Sequence, residues 1–163
     1  MQPQTIRLEA GDWVPNNPNF PVLLYRSLLT DGDRAEGFEN LFSRNGWGGL
    51  WRNGVYPFHH YHSNTHEVLG FARGSARLII GGPTGVELEV SAGDAAILPA
   101  GTGHCRLRAS DDFLVIGGYP PEGQYDLCRQ AATPEQLRHI RELPPPKTDP
   151  VTGKHDGLTE VWR

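Results

Sequence analysis

The sequence of 163 residues contains only two cysteines and one methionine. Cys105 and Cys128 do not form a C-x-x-C pair, so they exclude a disulfide scaffold, and we expect both thiols to be reduced. No run of apolar residues is long enough to cross a bilayer, and no apolar segment follows a basic start at the N-terminus. These absences predict a cytoplasmic protein that does not enter a membrane.

The sequence also lacks an excess of positive charge. It has 15 lysines and arginines against 19 aspartates and glutamates, which gives a net charge of -4. Proteins that bind nucleic acid or anionic lipid usually carry a basic patch. We therefore expect no nucleic-acid partner and no membrane partner, and a small molecule is the expected substrate.

Turn residues, in contrast, are abundant, with 20 glycines and 14 prolines between short apolar runs. This pattern favours many short strands joined by tight turns over long helices. Eight closely spaced strands are typical of a jelly roll. The predicted strands are residues 47–53, 56–62, 66–73, 76–80, 86–90, 95–98, 104–109 and 113–119.

The length fits a single domain with an adequate core. We divide residues 1–163 into an N-terminal arm with a helix (1–46), a barrel (47–120) and a C-terminal helix with a tail (121–163). Asp33 is the predicted N-cap of the first helix, and Thr133 that of the last. The bulky Trp162 predicts that the end of the tail docks against the domain.

A proline-rich arm (14–21) leads into an apolar strand (22–25). Edge strands with an apolar face usually need a cover, and cyclic dimers are the commonest oligomers. We therefore predict a homodimer in which this arm and strand help to pair two barrels.

Four of the seven histidines and a glutamate are concentrated between Gly54 and Gly74. Alternate residues of an extended strand share a face, so His60 and His62 point the same way, and a short turn can bring Glu67 beside them. A strand that ends at a Pro99 turn delivers His104. The side chains of His66 and Glu67 point to opposite faces of a regular strand, so only one of the two could join the histidines as a metal ligand. A β-bulge would reverse which of them does so.

These residues form two motifs that resemble the cupin signature. The first is Gly54-x5-His60-x-His62-x4-Glu67-x6-Gly74, and the second is Gly93-x5-Pro99-x-Gly101-x2-His104. The second motif departs from the family only at its last position, where Arg108 replaces the usual asparagine. The sequence is thus similar to small single-domain bacterial cupins of a largely uncharacterised group.

The resemblance implies an all-β cupin double-stranded β-helix, a jelly-roll barrel with a short helix before it. It also implies His60, His62, Glu67 and His104 as ligands of one divalent metal ion per chain. Three imidazoles and one carboxylate suit a first-row ion in octahedral geometry with two open positions, and Fe, Ni, Zn and Mn all fit. The expected ligand set therefore takes Glu67 rather than His66.

Open metal positions permit chemistry, so the resemblance implies a mononuclear-metal oxidoreductase, of dioxygenase type, acting on a small oxygenated or anionic compound. A metal-dependent isomerase or decarboxylase would use the same ligands, and a non-catalytic barrel that binds a small ligand is the third possibility. No catalytic acid or base outside the ligands can be named from the sequence.

Strand alternation also selects candidate substrate-binding residues. Tyr56 and Phe58 share a face with His60, Phe71 shares one with Glu67, and Arg106 and Arg108 have the parity of His104. An arginine that faces the pocket would need an anionic partner, which the substrate could supply. The two arginines therefore lead us to expect that small carboxylates or keto acids bind at the metal.

Overall fold

A computed structural model describes all 163 residues and consists mainly of two antiparallel sheets. The strands are β1 (Gln4–Ile6), β2 (Val22–Tyr25), β3 (Gly48–Asn53), β4 (Glu67–Arg73), β5 (Ser75–Ile80), β6 (Val86–Ser91), β7 (Ala95–Leu98), β8 (His104–Ala109) and β9 (Leu114–Tyr119). The helices are α1 (Arg34–Arg44), α2 (Pro134–Glu142) and α3 (Leu158–Val161). The larger sheet has the order β1-β2-β7-β4-β9-β3, and the smaller has the order β6-β5-β8. The predicted all-β jelly roll is confirmed.

Alternation along β4 explains the two hydrophobic clusters. Val68 and Ala72 belong to the cluster that α1 covers, whereas Leu69 and Phe71 belong to the cluster shared by the two sheets. Glu67 has the parity of Leu69 and Phe71, so it lies on the inner face. The inner face of the larger sheet therefore carries both the core of the barrel and the first candidate ligand.

Seven of the eight predicted barrel strands are present within one residue of the predicted bounds. The exception is 56–62, where the prediction of a strand is wrong. Only two isolated bridges occur there, between His60 and His104 and between Tyr61 and Cys128. Pro57 lacks the N–H that a ladder needs, and this accounts for the irregular backbone at the start of the segment.

Both predicted helices form at their predicted caps. The Asp33 side chain accepts hydrogen bonds from the N–H groups of Ala35 and Glu36, and Thr133 forms a capping box with Gln136. The longest helix has 11 residues, and none is long and apolar enough to cross a bilayer.

The apolar strand 22–25 is β2, and it does not need a cover from another chain. It is fully buried and pairs with β1 on one side and β7 on the other. The arm before it is also used within the chain, because the Asn17 side chain donates to the Ala100 carbonyl over 2.9 Å. Strand β2 is therefore not an edge strand, and the role of this arm and strand in pairing two barrels stays a prediction.

The C-terminal tail docks as predicted. The Trp162 indole N–H donates to the Pro21 carbonyl over 2.9 Å, and its ring stacks on Phe20. Strand β1 and helix α3 were not predicted. They have three and four residues, too few for a hydrophobic period to be recognisable in the sequence.

Candidate metal centre

Three buried histidines converge at one end of the barrel. His60 and His62 lie on the irregular segment before β4, and His104 is the first residue of β8. Their potential ligand atoms all lie within 4.8 Å of one another. Two sequence segments that are about 40 residues apart thus supply one group of imidazoles that could hold a metal ion.

Backbone carbonyls orient all three rings. The Nδ1 atom of His60 lies 3.0 Å from the Phe58 carbonyl oxygen, and that of His104 lies 3.0 Å from the Thr102 oxygen. The Nδ1 atom of His62 bonds to the Asp126 carbonyl in the same way.

A carbonyl oxygen can only accept, so each Nδ1 carries a hydrogen in these contacts. In a neutral imidazole the Nε2 atom then has a free lone pair. This is the arrangement by which metal-ligating histidines are commonly held.

Glu67 lies beside these nitrogen atoms. Its Oε1 atom is 3.4 Å from Nε2 of His62 and 3.4 Å from Nε2 of His104. Oε1 is buried and has no hydrogen-bond partner. A buried carboxylate oxygen that faces nitrogen lone pairs is costly unless a positive charge compensates it. The residues present therefore fit a divalent cation.

The pKa shifts within this group of residues also favour a bound divalent cation. Burial and the neighbouring His104 lower the pKa of His60 to about 3. Burial acts to lower the pKa of His62, but the Glu67 carboxylate reverses the effect and the pKa is raised. Burial acts to raise the pKa of Glu67, whereas His62 and His104 bring it well below its usual range. A neutral His60 and an ionised Glu67 are the forms that bind metals.

His66 lies outside this group. Its Nδ1 atom accepts a hydrogen bond from the Ala100 N–H over 2.9 Å, and its Nε2 atom lies 3.0 Å from the Pro144 carbonyl oxygen. Its ring is 5.0 Å from that of Trp162. Both ring nitrogens are therefore used in fixing the backbone.

A cavity of about 320 Å³ opens onto the group and is lined by 15 residues. The four expected metal ligands are among them, together with Tyr56 and Arg106 from the predicted substrate-binding residues. Phe58 is not in the lining, and its ring stacks on Tyr56 with 4.8 Å between centroids. The predicted place of Phe71 at the cavity is wrong, because this residue is fully buried in the core between the sheets.

The prediction that Arg108 faces the cavity is also wrong, and a β-bulge is the reason. Leu78 lies opposite Arg106, but the next residue, Arg77, lies opposite Arg108, so Leu107 is an extra residue in β8. The bulge turns Arg108 outward, where its side chain is 72% exposed and lies 3.3 Å from Glu89. Arg106 keeps the inward parity.

The sequence reasoning missed several residues of the site. Trp51, Tyr119 and Tyr125 line the cavity, and Asp126 holds His62 by its carbonyl while its carboxylate accepts from the Ser63 N–H over 2.7 Å. These residues lie in segments that precede or follow the two motifs. Their spacing from the ligands in the sequence does not indicate that they share a site, because a local sequence pattern does not reveal which distant strands pair.

A two-sheet antiparallel barrel that gathers three histidines from both motifs is the architecture expected from the resemblance to small cupins. No family model matches the chain. The uncharacterized protein YjlB of Bacillus subtilis (strain 168) is 41% identical to it over 151 residues, which cover 91% of this chain and 90% of that protein. The chain therefore belongs to the family of YjlB.

Solved structures show more distant similarity. The acireductone dioxygenase of Bacillus anthracis is 18% identical, with a TM-score of 0.41, over 64% of this chain and 80% of that one. The TDP-quinovose 3,4-ketoisomerase of Campylobacter jejuni is 17% identical, with a TM-score of 0.42, over 55% and 73%. The oxalate decarboxylase of Bacillus subtilis is 19% identical, with a TM-score of 0.40, over 73% and 29%. Similarities of this size do not indicate which reaction, if any, this protein catalyses.

Proposed function

We propose that the protein is a metal-dependent oxidoreductase of dioxygenase type that acts on a small anionic compound. In this proposal His60, His62, Glu67 and His104 hold one divalent ion. The observation that carries it is the unpartnered Oε1 atom of Glu67, which is buried 3.4 Å from two imidazole nitrogens. No positive side chain other than a protonated imidazole pairs with this carboxylate, so a cation is the group that best completes the site.

A bound first-row ion would supply a Lewis acid with open coordination positions. The residues of the chain supply the rest. Burial and the neighbouring His104 lower the pKa of His60 and keep that ring neutral, and the Nδ1 hydrogen bonds of the three histidines fix the direction of each ring. The cavity restricts the access of water to one side of the group. The protein thus prepares the ligand geometry before the substrate arrives.

Arg106 supports the anionic character of the substrate. It lines the cavity, and none of the ion pairs of the chain includes it. Glu67 is the one carboxylate in the cavity lining, and its Oε1 atom faces the imidazoles. A planar guanidinium can bind a carboxylate through two parallel hydrogen bonds. We therefore infer that a small carboxylate or keto acid binds between Arg106 and the metal.

Elemental analysis of protein purified without a metal-binding tag tests the site. We expect one divalent ion per chain, and we expect His60→Ala and His104→Ala to lose it. His139→Ala is the matched control, because His139 is exposed on α2. Failure of the wild type to bind any of several divalent ions, or equal retention in all three variants, would contradict the site.

An oxygen electrode tests the reaction. We expect iron-loaded protein to consume oxygen with at least one member of a panel of small carboxylic and keto acids. Turnover without oxygen consumption would instead indicate an isomerase or a decarboxylase. If acids bind but none is turned over, the barrel is a non-catalytic ligand-binding protein.

Calorimetry with the same panel tests the role of Arg106. We expect Arg106→Gln to weaken binding of the acids by roughly tenfold or more without loss of metal, since a charged hydrogen bond is removed. Arg108→Gln is a close control because Arg108 lies two positions further along the same strand and points outward. Equal weakening by the two substitutions would show that only the net charge matters.

A further inference from the structure

Tyr119 lines the cavity and has no part in the function proposed above. In the ladder between β4 and β9, Val68 lies opposite Gly118. The next opposed positions of this antiparallel pair are Glu67 and Tyr119. Side chains at directly opposed positions share a face, and their Cβ atoms are about 4.5–5.5 Å apart. The fold therefore places the Tyr119 side chain beside the Glu67 carboxylate.

A hydrogen bond from Trp51 decides how the Tyr119 hydroxyl can act. The Trp51 indole N–H lies 2.8 Å from the Tyr119 oxygen. An indole nitrogen can only donate, so the phenol oxygen is the acceptor in this contact. The single hydrogen of the phenol must therefore point elsewhere, and the opposed residue Glu67 offers a carboxylate on the same face of the sheet.

Gly117 gives Trp51 the room to make this contact. It lies opposite Trp51 in the ladder between β3 and β9. A Cβ atom at Gly117 would lie 2.0 Å from two ring carbons of Trp51. The indole therefore occupies the space of the missing side chain, and there it reaches the hydroxyl two residues further along β9.

We propose that Tyr119 is a positioning residue for the metal centre. Its hydroxyl accepts from Trp51 and donates to the oxygen of Glu67 that is turned away from the imidazoles. This contact would leave Oε1, the oxygen that faces the imidazoles, as the one atom of Glu67 available to a bound ion. The inference rests on the proposed function, because it assigns Glu67 as a ligand.

Metal affinity tests the proposal, with Co²⁺ as the probe. We expect Tyr119→Phe to lower the affinity by about 10–100-fold, the usual effect of losing a partner of a metal ligand. Gly117→Ala, which displaces the indole but keeps the phenol, should give a smaller loss. His139→Ala is the control that should keep the wild-type affinity, because His139 is exposed on α2 and lies outside the cavity lining.

The absorption spectrum at saturating Co²⁺ separates positioning from general stability. We expect Tyr119→Phe to change the visible bands, since Glu67 can then bind through both oxygens, while the urea midpoint of the metal-free protein moves little. His139→Ala should keep the wild-type spectrum. Wild-type affinity and spectrum in Tyr119→Phe would overturn the proposal.

The contact between Trp51 and Tyr119 can also be measured without metal. The indole N–H resonance of Trp51, assigned with Trp51→Phe, should shift in Tyr119→Phe and stay in place in His139→Ala. An unshifted resonance would overturn the proposed orientation of the phenol. Wild-type protein that binds no ion would contradict the proposed function, whereas equal affinity of wild type and Tyr119→Phe would contradict this inference alone.

Discussion

His66 and Glu67 are neighbours in the sequence, yet their side chains lie on opposite faces of the strand. Glu67 faces the imidazoles, and His66 packs near Phe20 and Trp162. The buried Ala100 N–H donates to the His66 ring. Burial lowers the pKa of His66 to about 4, so the ring is neutral and can accept this bond at neutral pH. His66 therefore has a structural role as an acceptor for a buried backbone N–H.

We therefore predict that His66→Ala lowers the free energy of unfolding without loss of metal. The substitution leaves the Ala100 N–H buried without an acceptor, which costs about 1–3 kcal/mol. Urea unfolding of the metal-free protein measures the change, and elemental analysis measures the metal. His66→Gln, which keeps an acceptor, should lose less stability. A loss of metal as large as that of His60→Ala would instead make His66 a ligand.

The three clustered histidines were predictable because each lies within a short sequence motif with characteristic spacing. Strand parity also placed Arg106 correctly, but it failed for Arg108, two residues away. The bulge at Leu107 is the reason, and no residue in 106–108 is a glycine that would have indicated it. Tyr119 was missed for another reason, because its position beside Glu67 depends on the pairing of strands that are distant in the sequence.

At the scale of elements, the strands were predictable because turn residues divide the chain between them. The segment 56–62 was not, because its backbone is held by isolated contacts with β8 and with loops. The Asp126 carboxylate accepts from the Ser63 N–H and from the Ser63 hydroxyl. The Asp126 carbonyl also holds His62. A loop beyond the barrel thus positions a candidate ligand, and only the three-dimensional structure can reveal this.

The C-terminal turn is a second element held by one side chain. Asp149 is fully buried, and its carboxylate accepts hydrogen bonds from the Tyr25 hydroxyl over 2.8 Å and from the Leu158 N–H over 2.8 Å. It also accepts from the N–H groups of Val151 and Thr152. Four donors on one carboxylate join β2, the turn and the start of α3.

We predict that Asp149→Ala frees the tail from the barrel. Loss of these charged hydrogen bonds should lower the free energy of unfolding by at least about 2 kcal/mol. Trypsin should also cleave faster after Lys154, which is exposed in the same turn. Tyr25→Phe removes only one of the four donors and should have a smaller effect on both measurements. Cleavage at the wild-type rate in Asp149→Ala would show that Trp162 alone holds the tail.

At the scale of the whole molecule, the homodimer stays a prediction. Both edges of β2 are occupied within the chain by β1 and β7, so this strand cannot pair with a second chain through its edges. The free edges of the larger sheet are β1 and β3. Light scattering at micromolar concentration measures the assembly, and a monomer would contradict the prediction.

The proposed metal would join parts of the fold that the backbone connects weakly. Glu67 begins a strand of the larger sheet, and His104 begins a strand of the smaller one. His60 and His62 come from the irregular segment, whose backbone hydrogen bonds with strands are limited to an isolated bridge and one further bond. An ion held by all four would tie both sheets and this segment together. Such an ion binds the folded state far better than the unfolded chain, so it must raise stability by mass action.

We predict that Zn²⁺ at about 100 times its dissociation constant adds about 2.7 kcal/mol to the free energy of unfolding. For a chain of this size, that gain raises the thermal midpoint by roughly 5–10 °C. Removal of the ion with a chelator should reverse the shift, and His104→Ala should abolish it because the smaller sheet then contributes no ligand. His139→Ala should keep the full shift. A midpoint that rises equally in His104→Ala and wild type would place the stabilising ion elsewhere on the protein.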